Sequence, residues 1–279
     1  MKITCWGARG SIPVSGKEYL KYGGDTTCLE FRSNNDQLII IDAGSGIRRL
    51  GNKLFEEGVK EHNIIFTHAH WDHILGFPFF KPLYSDGTQI QMLGSLTAQE
   101  SIRNIISSTM GAPNFPVRFN DVHAEISYIG TCPDWFRIKD VSITPIALSH
   151  PNRGMGFKFE ENGKVFVFLT DNELTYTHPG GLGFNDYREF SRGADLLIHD
   201  AEYTPDEYRY RKTWGHSVYL DALNLALEAE VKRFGLFHHN QERGDGEIDR
   251  MVEECRRIIA ERGATLECFA VAEDLVIEV

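Results

Sequence analysis

His68-Ala69-His70-Trp71-Asp72-His73 follows directly on the apolar run Ile64-Ile65-Phe66-Thr67. The hexapeptide places three imidazoles and one carboxylate on a short loop. These donors suit a borderline divalent cation such as Zn²⁺, which binds them at about 2.0–2.2 Å. One tetrahedral ion needs fewer ligands than this loop supplies once other parts of the chain contribute. We therefore expect two adjacent ions, an arrangement that supports hydrolysis at phosphorus or at a carbonyl carbon.

The pattern His-x-His-x-Asp-His after a strand resembles the signature of the metallo-β-lactamase superfamily. The resemblance implies an αββα sandwich, in which helices flank two mixed β-sheets, formed by residues 1–279 as a single domain. It also implies a metal-dependent hydrolase. A purely structural metal site is the alternative, but such sites are usually closed and rich in cysteine.

The composition indicates a globular protein, with 42% hydrophobic and 25% charged residues among 279. No apolar run approaches the roughly 18 residues of a membrane span, and the N-terminus does not resemble a signal peptide. The cysteines are odd in number and form no CxxC pair, so we expect reduced thiols in a cytoplasmic protein. A net charge of −11 disfavours non-specific nucleic-acid binding.

Short apolar runs bounded by turn residues predict buried strands. They lie at 38–41, 63–67, 90–93, 143–148, 165–169, 196–198 and 234–237. Apolar residues spaced by three and four predict helices at 217–229 and 246–262, and a third helix is expected at 98–108. Ser217 is the expected N-cap of the first of these. The pattern alone indicates a mixed α/β protein.

Three later segments repeat one arrangement, an apolar strand followed by a ligand type and a turn. They end in His150, in Asp171 and in the pair His238-His239. A carboxylate at the end of so apolar a strand is costly unless it is paired or binds a metal. Because side chains alternate across a strand, only one histidine of the pair faces the site easily, and we favour His238 over His239.

The superfamily resemblance implies how these ligands are divided. One ion takes His68, His70 and His150; the second takes Asp72, His73 and His238; Asp171 bridges them. The cofactors are thus two divalent metal ions. Zn²⁺ is favoured, and Mn²⁺ and Fe²⁺ stay open because His/Asp sites accept each of them.

A second constellation consists of His199-Asp200-Ala201-Glu202 and Gly215-His216-Ser217. These segments resemble the ribonuclease Z and cyclic phosphodiesterase branch, in which a carboxylate orients a histidine that protonates the leaving oxygen. The resemblance implies that Asp200 orients His216, although ribonuclease Z relatives commonly use Glu there. A histidine suits this task because its pKa of about 6.5 lets it exchange a proton near neutrality. The alternative is that His216 only caps or packs against the following helix.

Residues 7–13 also resemble this branch, and Arg9 and Ser11 are candidates to bind a substrate phosphate. Asn152 and Arg153, next to His150, are candidates of the same kind. An ordinary glycine turn with a solvated arginine explains the first segment equally well. Residues 111–117 are either a rigid aromatic wall of the site or a surface loop, and Trp71 is interpreted as a packing residue.

Only twenty residues separate His150 from Asp171. Members of the branch that process transfer RNA often carry a long arm in this interval, so we expect no tRNA arm. The expected partner is a small phosphodiester, such as a cyclic nucleotide or cyclic sugar phosphate. A metal-bridging hydroxide would attack phosphorus, with Asp72 as ligand and orienting group and His216 as general acid.

Two other functions stay open. A thioesterase or lactonase would use the same metal centre on a carbonyl carbon, and a metal-binding or ligand-sensing module would bind without turnover. The oligomeric state is also open, and a homodimer is expected only because relatives are often dimers.

Overall fold

The first of two seven-stranded sheets combines an antiparallel half with a parallel half. The computed structural model describes residues 1–94, 102–129 and 134–279. In order across this sheet the strands are β14 (Val276–Glu278), β1 (Lys2–Gly7), β2 (Cys28–Arg32), β3 (Leu38–Ile41), β4 (Glu61–Phe66), β5 (Gln89–Gly94) and β6 (Glu125–Ile129). Pairing is antiparallel from β14 to β3 and parallel from β3 to β6.

The second sheet has the same mixed character. Its order is β13 (Glu267–Ala270), β12 (Arg233–Phe237), β11 (Leu196–Asp200), β10 (Lys164–Leu169), β9 (Met155–Glu161), β8 (Val141–Ala147) and β7 (Phe136–Ile138). Pairing is parallel from β13 to β10 and antiparallel from β10 to β7. As a result β8, β10, β11 and β12 run in the same direction, and their carboxyl ends meet at one edge.

Alternation along the strands explains why two sheets pack face to face. Ile39 and Ile41 of β3 join Phe166 and Phe168 of β10 in one buried cluster between the sheets. Intervening residues such as Ile40 point to the opposite face. Each sheet is therefore apolar on both faces and needs a cover on the outside as well.

Helices supply that cover. They are α1 (Ile47–Glu56), α2 (Trp71–Ile74), α3 (Ile102–Thr109), α4 (Phe184–Ser191), α5 (Pro205–Tyr208), α6 (Tyr219–Glu228) and α7 (Asp245–Glu261). The buried face of α1 packs on the first sheet, and those of α6 and α7 pack on the second. The predicted αββα sandwich is confirmed. Among the described residues, no helix combines the length and apolar character needed to cross a bilayer.

The predicted strands all coincide with strands of the two sheets, and the three predicted helices match α3, α6 and α7 to within a few residues. Residues 98–101 of the first helix lie outside the described residues. The predicted N-cap was wrong: α6 is capped by Val218, and the Ser217 hydroxyl instead donates to the Asn172 carbonyl at 2.5 Å. That bond ties the start of α6 to the loop after β10.

Candidate metal centre

The candidate ligands meet where strands of both sheets end. His68 follows β4 of the first sheet, whereas His150, Asp171 and His238 follow β8, β10 and β12 of the second. Because those three strands point the same way, their ends lie side by side. The short helix α2 begins directly after His70 and carries the last two residues of the hexapeptide into the same space.

Four of these residues form a first group, His68, His70, His150 and Asp171, whose ligand atoms all lie within 4.8 Å of one another. Nδ1 of His70 lies 3.0 Å from Nε2 of His150. Oδ2 of Asp171 lies 3.5 Å from Nε2 of His68 and 3.7 Å from Nε2 of His150.

A second group consists of Asp72, His73, Asp171 and His238, with the same 4.8 Å spread and every member buried. Nε2 of His73 lies 3.2 Å from Oδ1 of Asp171, and Nε2 of His238 lies 3.3 Å from Oδ2 of Asp171. Oδ2 of Asp72 lies 3.4 Å from Nε2 of His73 and 3.0 Å from Nε2 of His238. Asp171 belongs to both groups.

These separations fit the donor atoms of a tetrahedral cation. Ligand bonds of about 2.0–2.1 Å at tetrahedral angles put neighbouring donor atoms about 3.3 Å apart. In the part of the chain that the structure describes, Nε2 of His68 and Nε2 of His73 are buried without a hydrogen-bond partner. An unpaired buried nitrogen is costly, and a bound cation removes that cost. The residues therefore fit a divalent-metal site.

Two buried carboxylates orient histidines of the second group by accepting a hydrogen bond from the ring nitrogen Nδ1. Nδ1 of His73 donates to Oδ2 of Asp42 at 2.8 Å, and Nδ1 of His238 donates to Oε2 of Glu202 at 2.9 Å. Each bond leaves Nε2 as the nitrogen that faces the other ligands. Partners of this kind fix the tautomer and raise the basicity of a metal-binding imidazole.

His150 is oriented by the backbone rather than by a carboxylate. Its Nδ1 donates to the carbonyl of Gly215 at 2.8 Å. Gly215 has φ +94°, and a Cβ at this position would lie 2.1 Å from Nδ1 of His150. Only glycine combines this backbone conformation with so close an approach.

The sequence interpretation missed Asp42 and Glu202. Asp42 had the same signal as Asp171, a carboxylate directly after a buried apolar strand, here β3. Asp42, Asp171 and His238 also share left-handed backbone, with φ of 60°, 48° and 58°. Such conformations cost of order 1–3 kcal/mol each and concentrate at functional sites. Three of them at one cluster indicate that its geometry is maintained at the expense of stability.

The surroundings of three candidate ligands, His68, Asp72 and Asp171, favour the protonation state that binds metal. Burial lowers the pKa of His68 to about 3, so its imidazole is neutral near pH 7. Burial alone would raise the pKa of Asp72, but His73 and His238 outweigh it and lower that pKa well below its usual range. The pKa of Asp171 is lowered in the same way by His238 and His73. Neutral imidazoles and ionised carboxylates are the forms that ligate a cation. Without a metal, burial opposes protonation of His73 and of His238, but Asp171 outweighs it and raises the pKa of each well above the usual range, so a bound cation takes the place of their protons.

The pair Asp200 and His216 lies beside the second group. Nδ1 of His216 donates to Oδ2 of Asp200 at 2.6 Å and lies 3.4 Å from Oε2 of Glu202. Burial opposes protonation of His216, but the charges of Glu202 and Asp200 outweigh it and raise its pKa to about 9. The ring stacks on that of His238, with centroids 4.7 Å apart and planes inclined by 18°. A protonated imidazole therefore stands directly against a candidate ligand.

Glu173 holds the loop that carries this histidine. Its carboxylate accepts the backbone N–H groups of Thr213 and Gly215, each at 2.8 Å. It also accepts the Tyr208 hydroxyl at 2.5 Å and Nε2 of His178 at 2.8 Å. The one buried carboxylate thus fixes the segment before His216 together with the carbonyl that orients His150. No pattern in the sequence indicated this role.

His238 and His239 point in different directions. Whereas His238 lies in the cluster, Nε2 of His239 donates to the carbonyl of Val271 at 2.8 Å, and its ring packs edge-on against Tyr22. The alternation argument thus selected the residue that faces the cluster.

Arg9, predicted as a candidate for binding phosphate, is used elsewhere. It is 1% exposed, and its guanidinium donates to the carbonyls of Gly23, Asn240 and Arg243 at 2.7–3.3 Å. Those bonds join the segment after β1 to the segment after β12. The prediction that Arg9 contacts substrate is therefore corrected to a structural role.

The other three candidates for substrate contact lie at the surface. Ser11 is exposed, and its backbone N–H donates to Oδ2 of Asp72 at 2.8 Å, so it touches the centre through its main chain. Asn152 and Arg153 are exposed in left-handed turn backbone, φ 63° and 69°, directly after His150. Trp71 is 77% exposed, so its interpretation as a packing residue was wrong.

Residues 37–239 match the family model described as the beta-lactamase superfamily domain. The chain belongs to the β-lactamase superfamily. This confirms the family predicted from the hexapeptide, and the superfamily is one of metal-dependent hydrolases. The match spans every residue of the two candidate ligand groups.

Individual relatives and solved structures agree with that assignment. The ribonuclease Z of Sulfurisphaera tokodaii is 28% identical over 241 residues, which cover 69% of this chain and 80% of that protein. The metallo-β-lactamase fold protein YhfI of Bacillus subtilis superimposes with a TM-score of 0.74 at 19% identity, over 100% of this chain and 98% of that one. A diphosphatase of the PhnP family superimposes with a TM-score of 0.68 at 18% identity, over 100% of this chain and 97% of that one. At these sequence identities, the two structural similarities show a shared fold.

Proposed function

We propose that this protein is a dinuclear metal-dependent phosphodiesterase that acts on small phosphodiesters, cyclic ones included. The observation that carries the proposal is the His216–Asp200 pair stacked against His238. Hydrolysis of an alkyl phosphodiester expels a poor leaving group, which needs a proton. The leaving group of an activated acyl ester or thioester has less need of a proton.

The two groups of ligands would hold one divalent cation each, with Asp171 shared and Zn²⁺ favoured over Mn²⁺ or Fe²⁺. When bound, the ions supply a water of lowered pKa and offset the charge that develops on the phosphoryl oxygens. Asp72 orients the attacking water, and the backbone N–H of Ser11 fixes the Asp72 carboxylate.

His216 supplies the proton. Because Nδ1 is engaged by Asp200, Nε2 carries the proton that passes to the leaving oxygen. Asp200 is itself held by the backbone N–H groups of Glu202 and Ser217, at 3.0 and 3.3 Å on Oδ1. The carboxylate can therefore orient the imidazole without moving.

The small size of the proposed substrate is supported by the chain between His150 and Asp171. Most of it forms the tight hairpin of β9 and β10, which pair from Lys164–Glu161 to Phe168–Phe157. The net charge of −11 also disfavours an extended polyanion. Ribonuclease Z and the diphosphatase, to which the chain is similar, are named for reactions at phosphorus. Four buried free cysteines (Cys5, Cys28, Cys255 and Cys268) are consistent with the proposed cytoplasmic location.

The deciding experiment measures hydrolysis of bis(p-nitrophenyl) phosphate and of a p-nitrophenyl acyl ester by Zn²⁺- and Mn²⁺-loaded protein. Wild type is compared with Asp72→Ala and with Asp206→Ala, a matched control whose side chain is 86% exposed. We expect diester turnover in wild type and in the control, and its loss in Asp72→Ala. Acyl-ester turnover without diester turnover overturns the proposal in favour of a thioesterase or lactonase. Metal-loaded protein that hydrolyses neither ester also overturns it.

A further inference from the structure

A cavity of about 320 Å³ shares helix α2 with the candidate metal centre. Residues three and four apart lie on one face of a helix. Accordingly Trp71, Ile74 and Leu75 line the cavity, whereas Asp72 and His73 turn into the centre. One turn of helix therefore serves both sites.

Three aromatic rings give the cavity its character. Trp71 and Phe79 line it although they are 77% and 54% exposed, an unusual loss of burial for such large apolar side chains. Phe115 faces Phe79 with centroids 5.5 Å apart and planes inclined by 86°. Phe115 is held in place by its backbone N–H, which donates to the Gly111 carbonyl at 2.7 Å. Of the segment 111–117, Asn114 and Phe115 thus line a cavity, whereas residues 112, 113 and 116 are exposed as in a surface loop.

The lining of the cavity carries no charge and few polar groups, which restricts what can bind there. Every lining residue is uncharged, and the polar side chains among them are Thr109 and Asn114. The Thr109 hydroxyl donates to the Ile106 carbonyl at 2.8 Å, which leaves its oxygen as an acceptor. Apolar pockets with a few convergent hydrogen-bonding groups are typical of sites for ring-containing ligands.

Size and charge together indicate one ring system and not a whole nucleotide. The volume lies at the lower end of the range for ligand sites, about 300–1,000 Å³. A phosphate would lose its hydration without gaining a cation from this lining, whereas the metal centre, to which Asp72 and His73 of α2 contribute, suits it. Trp71 follows directly after His70 and directly before Asp72, and so connects the two environments.

We propose that this cavity binds the nucleobase of the substrate while the metal centre holds its phosphodiester. The inference rests on the proposed function and extends it by naming the substrate class, a nucleoside phosphodiester. Stacking on Trp71, with Phe79 and Phe115 as walls, provides the affinity, and Asn114 and Thr109 contact the ring heteroatoms.

Ring binding is tested first without catalysis. Chelator-treated protein is titrated with adenosine, and with ribose as the base-free control, while tryptophan fluorescence is followed. We expect adenosine alone to quench the emission. Trp71→Phe should lose the quenching and Trp135→Phe, on an exposed tryptophan remote in sequence, should keep it. Absence of quenching by adenosine, or equal quenching in Trp71→Phe, overturns the proposal.

The second experiment compares two substrates that differ only in the base, adenosine 2′,3′-cyclic phosphate and 1-O-methylribose 2,3-cyclic phosphate. Stacking of a base on an aromatic side chain corresponds to roughly a 5- to 100-fold preference in kcat/KM for the nucleotide. Phe115→Leu and Phe79→Leu should each reduce this ratio. Phe55→Leu, on the exposed side of α1, should change neither this ratio nor the rate on the base-free substrate.

The two proposals fail in different ways. Hydrolysis of both substrates at equal rates, with no effect of Phe115→Leu, overturns the nucleobase site and leaves the phosphodiesterase intact. If neither substrate is hydrolysed but adenosine still quenches Trp71, the base site stands and the proposed reaction is wrong.

Discussion

The carboxylate of Glu202 accepts a hydrogen bond from Nδ1 of His238 at 2.9 Å and joins a candidate metal ligand to the proposed proton donor. The same oxygen lies 3.4 Å from Nδ1 of His216, and the other oxygen accepts the Asn240 amide at 2.9 Å. Glu202 therefore orients His238 directly and lies beside the stacked ring of His216, which Asp200 orients. Ligand and proton donor should respond together to a change at this residue.

Removing that carboxylate should weaken metal binding. Glu202→Ala leaves Nδ1 of His238 without an acceptor and frees the ring to turn, and loss of such a partner typically costs about 10–100-fold in metal affinity. Glu202→Gln keeps an acceptor oxygen and should lose less. Zn²⁺ affinity is measured by competition with a chromophoric chelator. Glu253→Ala, on an exposed position of α7, serves as control, and unchanged affinity in Glu202→Ala would contradict the orienting role.

A methyl group at Gly215 should displace His150. Gly215→Ala places a Cβ 2.1 Å from Nδ1 of His150 and forces an L-residue into φ +94°. Gly263→Ala is a matched control, because Gly263 has φ +63° with no atom within 4 Å of the added Cβ. Backbone strain should cost both variants about 1–2 kcal/mol of unfolding free energy, and the contact with His150 should add to the loss in Gly215→Ala. Only Gly215→Ala should also lose Zn²⁺ affinity.

Equal Zn²⁺ affinity in the two glycine variants would show that His150 tolerates the displacement. Unfolding is followed in urea with metal-free protein, so that the strain is measured apart from the metal. Metal binding is then measured on the folded fraction alone.

How far the sequence predicts this site depends on how local each signal is. The hexapeptide ligands share a loop, and Asp171 and His238 follow apolar strands, so the sequence alone indicates them. Glu202 lies 36 residues before His238, and nothing between the two fixes their contact before β11 and β12 pair. Arg9 carries no local sign that two of its acceptors, Asn240 and Arg243, lie beyond residue 239.

The strands of the fold also differ in whether a local sequence signal predicts them. Buried strands such as β3 and β10 are continuous apolar runs that periodicity detects. The edge strands β6 and β14 are exposed at every second residue and are recognised only by their pairing with β5 and β1. The cavity beside α2 was unpredictable for another reason, since it depends on how the turn at 111–115 packs against Phe79.

One buried histidine remote from the metal centre should contribute to a fall in stability on acidification. His62 is 2% exposed and packs edge-on against Phe80, and burial lowers its pKa to about 4. Its unfolded pKa is about 6.5. Folding favours the neutral imidazole. The contribution of His62 to the free energy of unfolding is therefore complete above pH 6.5 and is lost as the pH falls from 6.5 toward 4. At pH 5 the loss is about 2 kcal/mol.

Urea unfolding of metal-free protein at pH 7.5 and pH 5 checks this prediction. His62→Leu should lose about 2 kcal/mol less than wild type between the two pH values, since leucine does not titrate. His123→Leu is the control, because that side chain is 57% exposed. Identical pH dependence in wild type and His62→Leu would mean that His62 is not the group responsible.

Loss of the proton donor should depend on the leaving group. His216→Ala removes the acid that faces the leaving oxygen, and general acid catalysis typically contributes about 10²–10⁴-fold. We expect a decrease of that size in kcat on a cyclic alkyl phosphodiester. On bis(p-nitrophenyl) phosphate the decrease should be much smaller, because p-nitrophenolate leaves without help. Both substrates are assayed with the same metal-loaded preparation.

A structural effect of the same substitution is separated by two further measurements. His216 stacks on His238, so Zn²⁺ affinity of His216→Ala is measured in parallel, and rates are compared only at full occupancy. Asp200→Asn keeps the imidazole but withdraws the carboxylate that fixes its tautomer, and should reproduce part of the loss on the poor leaving group. An equal decrease on both substrates at full metal occupancy would refute proton donation by His216, since a residue that only shapes the centre slows both reactions alike.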